Sequence, residues 1–207
     1  MEQNIYLIDD DQAIRCSLSA LLATMGWQTL AYANILEFQQ RVVEPQTLSG
    51  CLLLDIRMPG KSGLTLLEEW QQQGLEIPVI IMTGHGNIDL CRRAFKNGAF
   101  EFLTKPVDAD LLIETVGGAL EHQRVLQQRQ QQIVELNEKL HTLSTREQQV
   151  ARLIMDGKSS KEIANDLALS PRTVEAHRAS IFAKLAINSS LKLMKVYGGI
   201  FSTESVK

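Results

Sequence analysis

The chain has 207 residues, 44% of them hydrophobic, and a net charge of −3, enough for one large or two small domains with ordinary packed cores. Its longest apolar runs span a few residues, far short of the roughly 20 a membrane helix needs. The strand-like run at residue 5 leaves no room for a signal peptide, and three scattered cysteines, Cys16, Cys51 and Cys91, suit free thiols in a reducing cytoplasm and not a disulfide frame or zinc site.

Residues 1–120 alternate strand-like and helix-like segments. Ile5-Tyr6-Leu7-Ile8 runs into Asp9-Asp10-Asp11. Residues 12–25 follow with apolar positions at helical spacing, and Gly26 suits their C-terminal cap. A second strand is expected over 28–32 and a second helix over 34–43. The run Cys51-Leu52-Leu53-Leu54 ends at Asp55-Ile56-Arg57, and a helix over 63–73 stops near Gly74. Val79-Ile80-Ile81-Met82 runs into Thr83-Gly84, before a helix over 88–97. Phe100-Glu101-Phe102-Leu103 runs into Thr104-Lys105-Pro106, and a last helix starts at 108. Five such units predict a doubly wound α/β domain with a parallel sheet. Ligands of such sheets bind at the carboxyl ends of the strands, where Asp9, Asp10, Asp55, Thr83 and Lys105 all fall.

Residues 121–142 are Gln-rich and lack Pro and Gly. They read as a helical linker continuing the helix from 108. Leu126, Ile133 and Leu140 recur at heptad spacing, interrupted by Arg129. This offers a weak pairing surface, with a plain solvated linker as the alternative. Residues 143–207 read as an all-α, four-helix domain. Ser144 and Glu147 form a capping box, Lys161–Leu167 a short second helix, and Ser170-Pro171 the start of a third. A fourth helix is expected over about 189–197. Charge divides along the same line. Residues 1–120 carry 15 acidic and 8 basic side chains, a net −7, and residues 121–207 carry 9 and 13, a net +4. A basic half suits nucleic acid, although ordinary surface variation gives similar numbers.

The front half suggests phosphoryl chemistry. A carboxylate attacks phosphorus well only when the phosphoryl charge is neutralised and held in line. Asp9, Asp10 and Asp55 suit Mg²⁺, which prefers oxygen ligands. Lys105 can pair with a phosphoryl oxygen, and Thr83 can donate a hydroxyl. Lys105-Pro106 is a candidate cis bond.

These residues, in this order, resemble the receiver domain of two-component response regulators: an acidic pair after the first strand, Asp after the third, Thr after the fourth and Lys-Pro after the fifth. The resemblance implies that Asp55 accepts the phosphoryl group. It implies Asp10 as a direct metal ligand, Asp9 as an outer one and the Arg57 carbonyl as a further one. Thr83, Lys105 and the amides of Arg57 and Gly84 would contact phosphoryl oxygens. Phe102 matches the family's switch aromatic, which turns inward as Thr83 moves and alters the face of helix 88–97. Arg92, Arg93 and Lys96 on that helix would face acidic residues of a second copy, or only solvent. His85 is read as a loop residue that at most tunes phosphate lifetime.

The back half resembles the LuxR/FixJ-type helix-turn-helix through Leu143-Ser-Thr-Arg-Glu-Gln-Gln-Val150, Gly157, Lys161-Glu-Ile-Ala164, Leu167, Ser170-Pro-Arg-Thr-Val174, His177-Arg178, Ile181 and Lys184-Leu185. Ser160 stands where the family usually has Asn. On the third helix Val174, Ile181 and Leu185 form an apolar stripe. Arg172, Ala176 and Ala179 fall opposite, small enough to enter a major groove, and Glu175 can accept from cytosine N4. Lys161, Arg172, Thr173, Arg178 and Lys184 are candidate phosphate contacts. His177 sits beside the stripe, as suited to packing as to base contact.

The expected protein is thus a response regulator of the NarL/FixJ type: phosphorylated by a sensor histidine kinase, dimerising, binding double-stranded promoter DNA, meeting RNA polymerase, and cytoplasmic. It is not expected to be an enzyme beyond promoting its own phosphoryl transfer and dephosphorylation. Phosphatases of the haloacid dehalogenase class use an Asp-x-Asp motif, and Asp55-Ile56-Arg57 lacks the second acid. An orphan regulator that binds DNA without phosphorylation is the other alternative.

Overall fold

The computed structural model describes residues 3–84 and 88–203. The chain divides into two compact units, Met1–Gln127 and Gln128–Lys207. Among the described residues, no helix is long and apolar enough to cross a membrane.

The first unit holds the strands β1 (Asn4–Ile8), β2 (Gln28–Tyr32), β3 (Gly50–Asp55), β4 (Val79–Thr83) and β5 (Glu101–Thr104). They form one sheet in the order β2-β1-β3-β4-β5, each pair parallel. The connecting helices are α1 (Gln12–Thr24), α2 (Ile35–Arg41), α3 (Gly63–Gln72), α4 (Ile88–Lys96) and α5 (Ala109–His141). A short 3-10 turn, Pro45–Thr47, not anticipated from the sequence, precedes β3.

Successive side chains of a strand point to opposite faces, and two cores result. Tyr6, Ile8, Leu52, Leu54, Val79 and Ile81 pack under the α2–α4 side, with Phe38, Leu66 and Trp70. Ile5, Leu7, Cys51, Leu53, Ile80 and Met82 pack under the other side with Leu18, Leu22, Leu112 and Val116. Every residue of β3 and β4 is buried, which is why these central strands read as unbroken apolar runs. The order reverses between β1 and β3, so the crevice of this sheet lies beyond Ile8 and Asp55.

Two glycines allow the packing. Gly50 has φ +125°, and a Cβ there would lie 1.8 Å from the Asn4 carbonyl oxygen. A Cβ on Gly63 would lie 2.2 Å from the carbonyl oxygen of Asp55 itself.

The second unit is helical: α6 (Thr145–Met155), α7 (Ser160–Asp166), α8 (Pro171–Lys184) and α9 (Ser190–Thr203). Leu140, Val150, Ile154, Ile163, Val174, Ile181, Leu193 and Tyr197 form its core. Helix α5 runs unbroken from Ala109 to His141. Its first turns enter the core of the first unit through Leu112 and Val116, and its last turns enter this one through Leu140. The capping box of Ser144 and Glu147 is formed, and Ser170 caps α8 with Pro171 at its first position. Ser159 and Glu162 make a second capping box on α7, a signal present in the spacing Ser-x-x-Glu. Helix α9 is longer than expected from the sequence. Tyr197, 1% exposed, ties it to the core, with its hydroxyl donating to the Leu185 carbonyl at 3.3 Å, and the helix continues past Gly198 and Gly199.

Candidate functional site

The carboxyl ends of β1 and β3 bring three carboxylates together. One oxygen each from Asp9, Asp10 and Asp55 lies within 4.8 Å of the others. Asp9 and Asp55 are buried, at 0% and 5% exposure, while Asp10 is exposed. Lys105, just beyond β5, donates from Nζ to Asp9 Oδ2 and to Asp55 Oδ2, both at 2.5 Å. The Lys105–Pro106 peptide is cis. Thr83, at the end of β4, is fully buried. Gly84 is exposed at the start of the next loop. Phe102 is half-buried against the core under α4. His85 lies outside the described residues.

The two buried acids are each held by a loop amide. The Arg57 amide donates to Asp55 Oδ1 at 3.0 Å, and the Asp11 amide to Asp9 Oδ1 at 3.0 Å. Asp11, third of the acidic run, does different work: its carboxylate caps α1 by accepting from the amides of Ala13 and Ile14. An Asp directly before a helical period was the signal for that. Arg15 had no signal. It donates from Nη1 to the Asp9 carbonyl at 2.7 Å and so fixes the Asp9–Asp10 peptide from the first turn of α1.

Burial pushes the Asp9 carboxyl above its ordinary pKa, and the Lys105 ammonium and Asp11 amide only partly offset this. Burial would lower the Lys105 pKa, but its hydrogen bonds to Asp55 and Asp9 outweigh that and raise it. The ammonium is therefore retained between the two acids at neutral pH. The donor set fits a hard divalent cation: three carboxylate oxygens converge, and the exposed Asp10 leaves room for the waters that Mg²⁺ keeps. Beside Asp10, a cleft of about 490 Å³ lined by Asn34, Leu36, Pro59 and Lys61 opens to solvent.

In the second unit, α8 presents Arg172, Ala176, Ala179 and Ala183 to solvent, with Val174, Ile181 and Leu185 buried. Lys161 is exposed, and Thr173 and His177 are half-buried. The Thr173 hydroxyl hydrogen-bonds Ser170 at 2.8 Å. Three further side chains expected to face DNA also have partners within the protein. Arg178 donates to Ser190 Oγ at 2.8 Å and lies over the Phe182 ring. Glu175 accepts from Ser160. Lys184 donates to Glu147 Oε2 at 2.7 Å and to the Thr142 carbonyl at 3.2 Å.

Glu147 is the hub of that last group. It is 4% exposed. It accepts from the Ser144 amide at 2.7 Å, from Ser180 Oγ at 2.6 Å and from Lys184. Burial raises its pKa, but Lys184, Ser180 and Ser144 together hold it down to about 2, against an ordinary 4.5. A depressed carboxylate stabilises the fold above its unfolded pKa and loses that contribution as pH falls through the folded value. This contribution is expected to be about 2 kcal/mol, allowing for screening at the partly exposed Lys184, and to fade between pH 4.5 and 2. Amide exchange in α6 and α8 should report it, with Glu147→Gln flattening the pH dependence. An equal pH slope in the variant would contradict it.

Similarity to known proteins agrees with both halves. Residues 5–117 match the family described as response regulator receiver domain.

The chain belongs to the two-component response regulators.

Residues 141–197 of this response regulator match bacterial regulatory proteins of the luxR family. It is 37% identical to the transcriptional regulatory protein FixJ of Azorhizobium caulinodans, over 93% of this chain and 90% of that protein. It is 35% identical to the response regulator protein TmoT of Ectopseudomonas mendocina, over 94% and 88%. The solved response regulator StyR superposes with a TM-score of 0.83 at 32% identity, covering 96% of this chain and 100% of that one. Full-length FixJ from B. japonicum gives 0.56 at 33% identity, covering 95% and 96%. The protein is therefore a FixJ-like response regulator with a receiver and a LuxR-type DNA-binding domain, and a transcription regulator in its family.

Proposed function

We propose that residues 1–120 act as a receiver phosphorylated on Asp55 by a sensor histidine kinase, that 121–142 are a helical linker, and that 143–207 bind promoter DNA as a dimer. The observation that carries this reading is the single ammonium of Lys105 bonded to both Asp9 and Asp55 at the switch point of the sheet.

In the proposed reaction, Asp55 Oδ forms a bond to phosphorus as the phosphorus–nitrogen bond of a phosphohistidine donor breaks. The electron pair leaves on the imidazole. Lys105 shifts its hydrogen bond to a phosphoryl oxygen, where a charged donor is stronger than a neutral one. The Thr83 hydroxyl and the amides of Arg57 and Gly84 donate to the remaining oxygens. Phe102 follows Thr83 inward and changes the face of α4. Asp9, Asp10, Asp55 and the Arg57 carbonyl would hold Mg²⁺, which when bound neutralises charge on the transferred group. The domain catalyses its own phosphorylation and hydrolysis and no other turnover.

The basic C-terminal half, net +4 over residues 121–207, supports DNA binding through α8. Arg172, Lys161 and Thr173 would take phosphates, and Ala176, Ala179, Glu175 and His177 would line the groove. Arg178 and Lys184 would also take phosphates, from positions that their internal partners Ser190 and Glu147 hold in the free chain. RNA polymerase is the proposed further partner, and the cytoplasm the proposed location.

The chain treated with Mg²⁺ and a small acyl phosphate should gain one acid-labile phosphoryl group, visible as a mass increase. Asp55→Asn should gain none. Equal labelling of the variant would refute Asp55 as acceptor.

A further inference from the structure

The outer face of α8 holds one feature that groove binding does not by itself require. The Glu175 side chain is 62% exposed, yet it is not left to rotate. Ser160, the first residue of α7, donates its hydroxyl to Glu175 Oε1. Arg178, one turn along α8, stands with Nε 3.9 Å from Glu175 Oε2. Arg178 is fixed in turn by Ser190 Oγ at 2.8 Å and by the Phe182 ring, 5.7 Å from its centroid. A chain of contacts thus runs from α7 through α8 to α9 and ends on one carboxylate.

Ser160 has no part in capping α7. That role belongs to Ser159, whose hydroxyl and amide both bond the Glu162 carboxylate. The Ser160 hydroxyl is therefore spare for Glu175. An exposed Glu loses much rotamer freedom when it is ordered, and ordering it beforehand removes that loss from the binding step. With Oε1 taken by Ser160, Oε2 is the oxygen that remains to accept from a base edge. A carboxylate in the major groove accepts from the cytosine N4 amino group and is repelled by guanine O6 and N7. The nearby guanidinium offsets its repulsion from phosphates.

We infer that Ser160 is a specificity-determining residue: it orients Glu175 so that the protein prefers a cytosine at one position of each half-site. The inference rests on the DNA-binding reading above and goes beyond it, because Ser160 sits on α7 and need not touch DNA.

The test uses the full-length chain, phosphorylated with a small acyl phosphate, and a library of duplexes with a randomised central segment. Bound pools are sequenced for the unaltered chain, Ser160→Ala, Ser160→Thr and Glu175→Ala. The readout is the base preference at one position relative to its neighbours, which a general loss of affinity or folding does not shift selectively. Glu175→Ala should erase a cytosine preference of roughly tenfold, the usual scale for one base pair. Ser160→Ala should weaken it roughly threefold, and Ser160→Thr, which keeps the hydroxyl, should restore it. If Glu175→Ala alters the preference and Ser160→Ala does not, the inference fails and the DNA-binding reading stands. If Glu175→Ala leaves every position unchanged, Glu175 reads no base and the inference also fails. If the unaltered chain enriches no sequence, both fail.

Discussion

Lys105→Met is expected to slow phosphorylation of Asp55 by about 100-fold, the usual cost of removing one charged or hydrogen-bonding group aimed at transition-state charge, while tightening Mg²⁺ binding. The opposite signs have one cause. The Lys105 ammonium lies 2.5 Å from Asp9 Oδ2 and 2.5 Å from Asp55 Oδ2, so it occupies lone pairs that a divalent cation also seeks. Met fills similar space without charge, leaving two buried carboxylates to repel each other, and a cation relieves that repulsion. Two readouts separate the effects: the rate of acid-labile phosphate uptake, and a Mg²⁺ titration without phosphodonor. Slower uptake with weaker Mg²⁺ binding would point to collapse of the pocket. Unchanged uptake would remove Lys105 from the reaction.

Gly50→Ala is expected to destabilise the first unit by about 3 kcal/mol or more. This is a large share of the 5–15 kcal/mol typical of a domain. At φ +125° an L side chain is strained, and its Cβ would meet the Asn4 carbonyl oxygen at 1.8 Å. Asn4 opens β1, directly paired to Gly50, so the strand pair must shift. Both tryptophans, Trp27 and Trp70, lie in this unit, and their fluorescence in a urea titration isolates its unfolding. The midpoint should fall with little change in slope. A midpoint within error of the unaltered chain would show that the backbone yields cheaply there.

The fold was legible because its signals are local. Unbroken apolar runs marked β3 and β4, Gly26 and Gly74 marked helix ends, and both adopt positive φ. Asp9, Asp55, Thr83 and Lys105 could be gathered on paper because parallel strands align their carboxyl ends. Contacts between helices left no such trace. Nothing near Lys184 in sequence announces Glu147, 37 positions away, so its ion pair with the start of α6 is invisible beside its candidacy as a phosphate contact. The Ser160 bond to Glu175, 15 positions away, is of the same kind, and the Arg15 bond to the Asp9 carbonyl, though local, likewise follows from how α1 docks beside β1. They depend on how elements dock, which periodicity does not encode. In sequence Gly63 marks only the start of a helix, while in the structure its missing side chain makes room for the Asp55 carbonyl.

The central claim is that a phosphoryl group on Asp55 controls DNA binding. It is tested most directly by measuring the affinity of the full-length chain for one enriched duplex, before and after treatment with Mg²⁺ and a small acyl phosphate, beside Asp55→Asn. Phosphorylation should raise the affinity of the unaltered chain at least about tenfold, because pairing two modules makes the second contact intramolecular, and should leave Asp55→Asn unmoved. Equal affinity in all four samples would contradict the account.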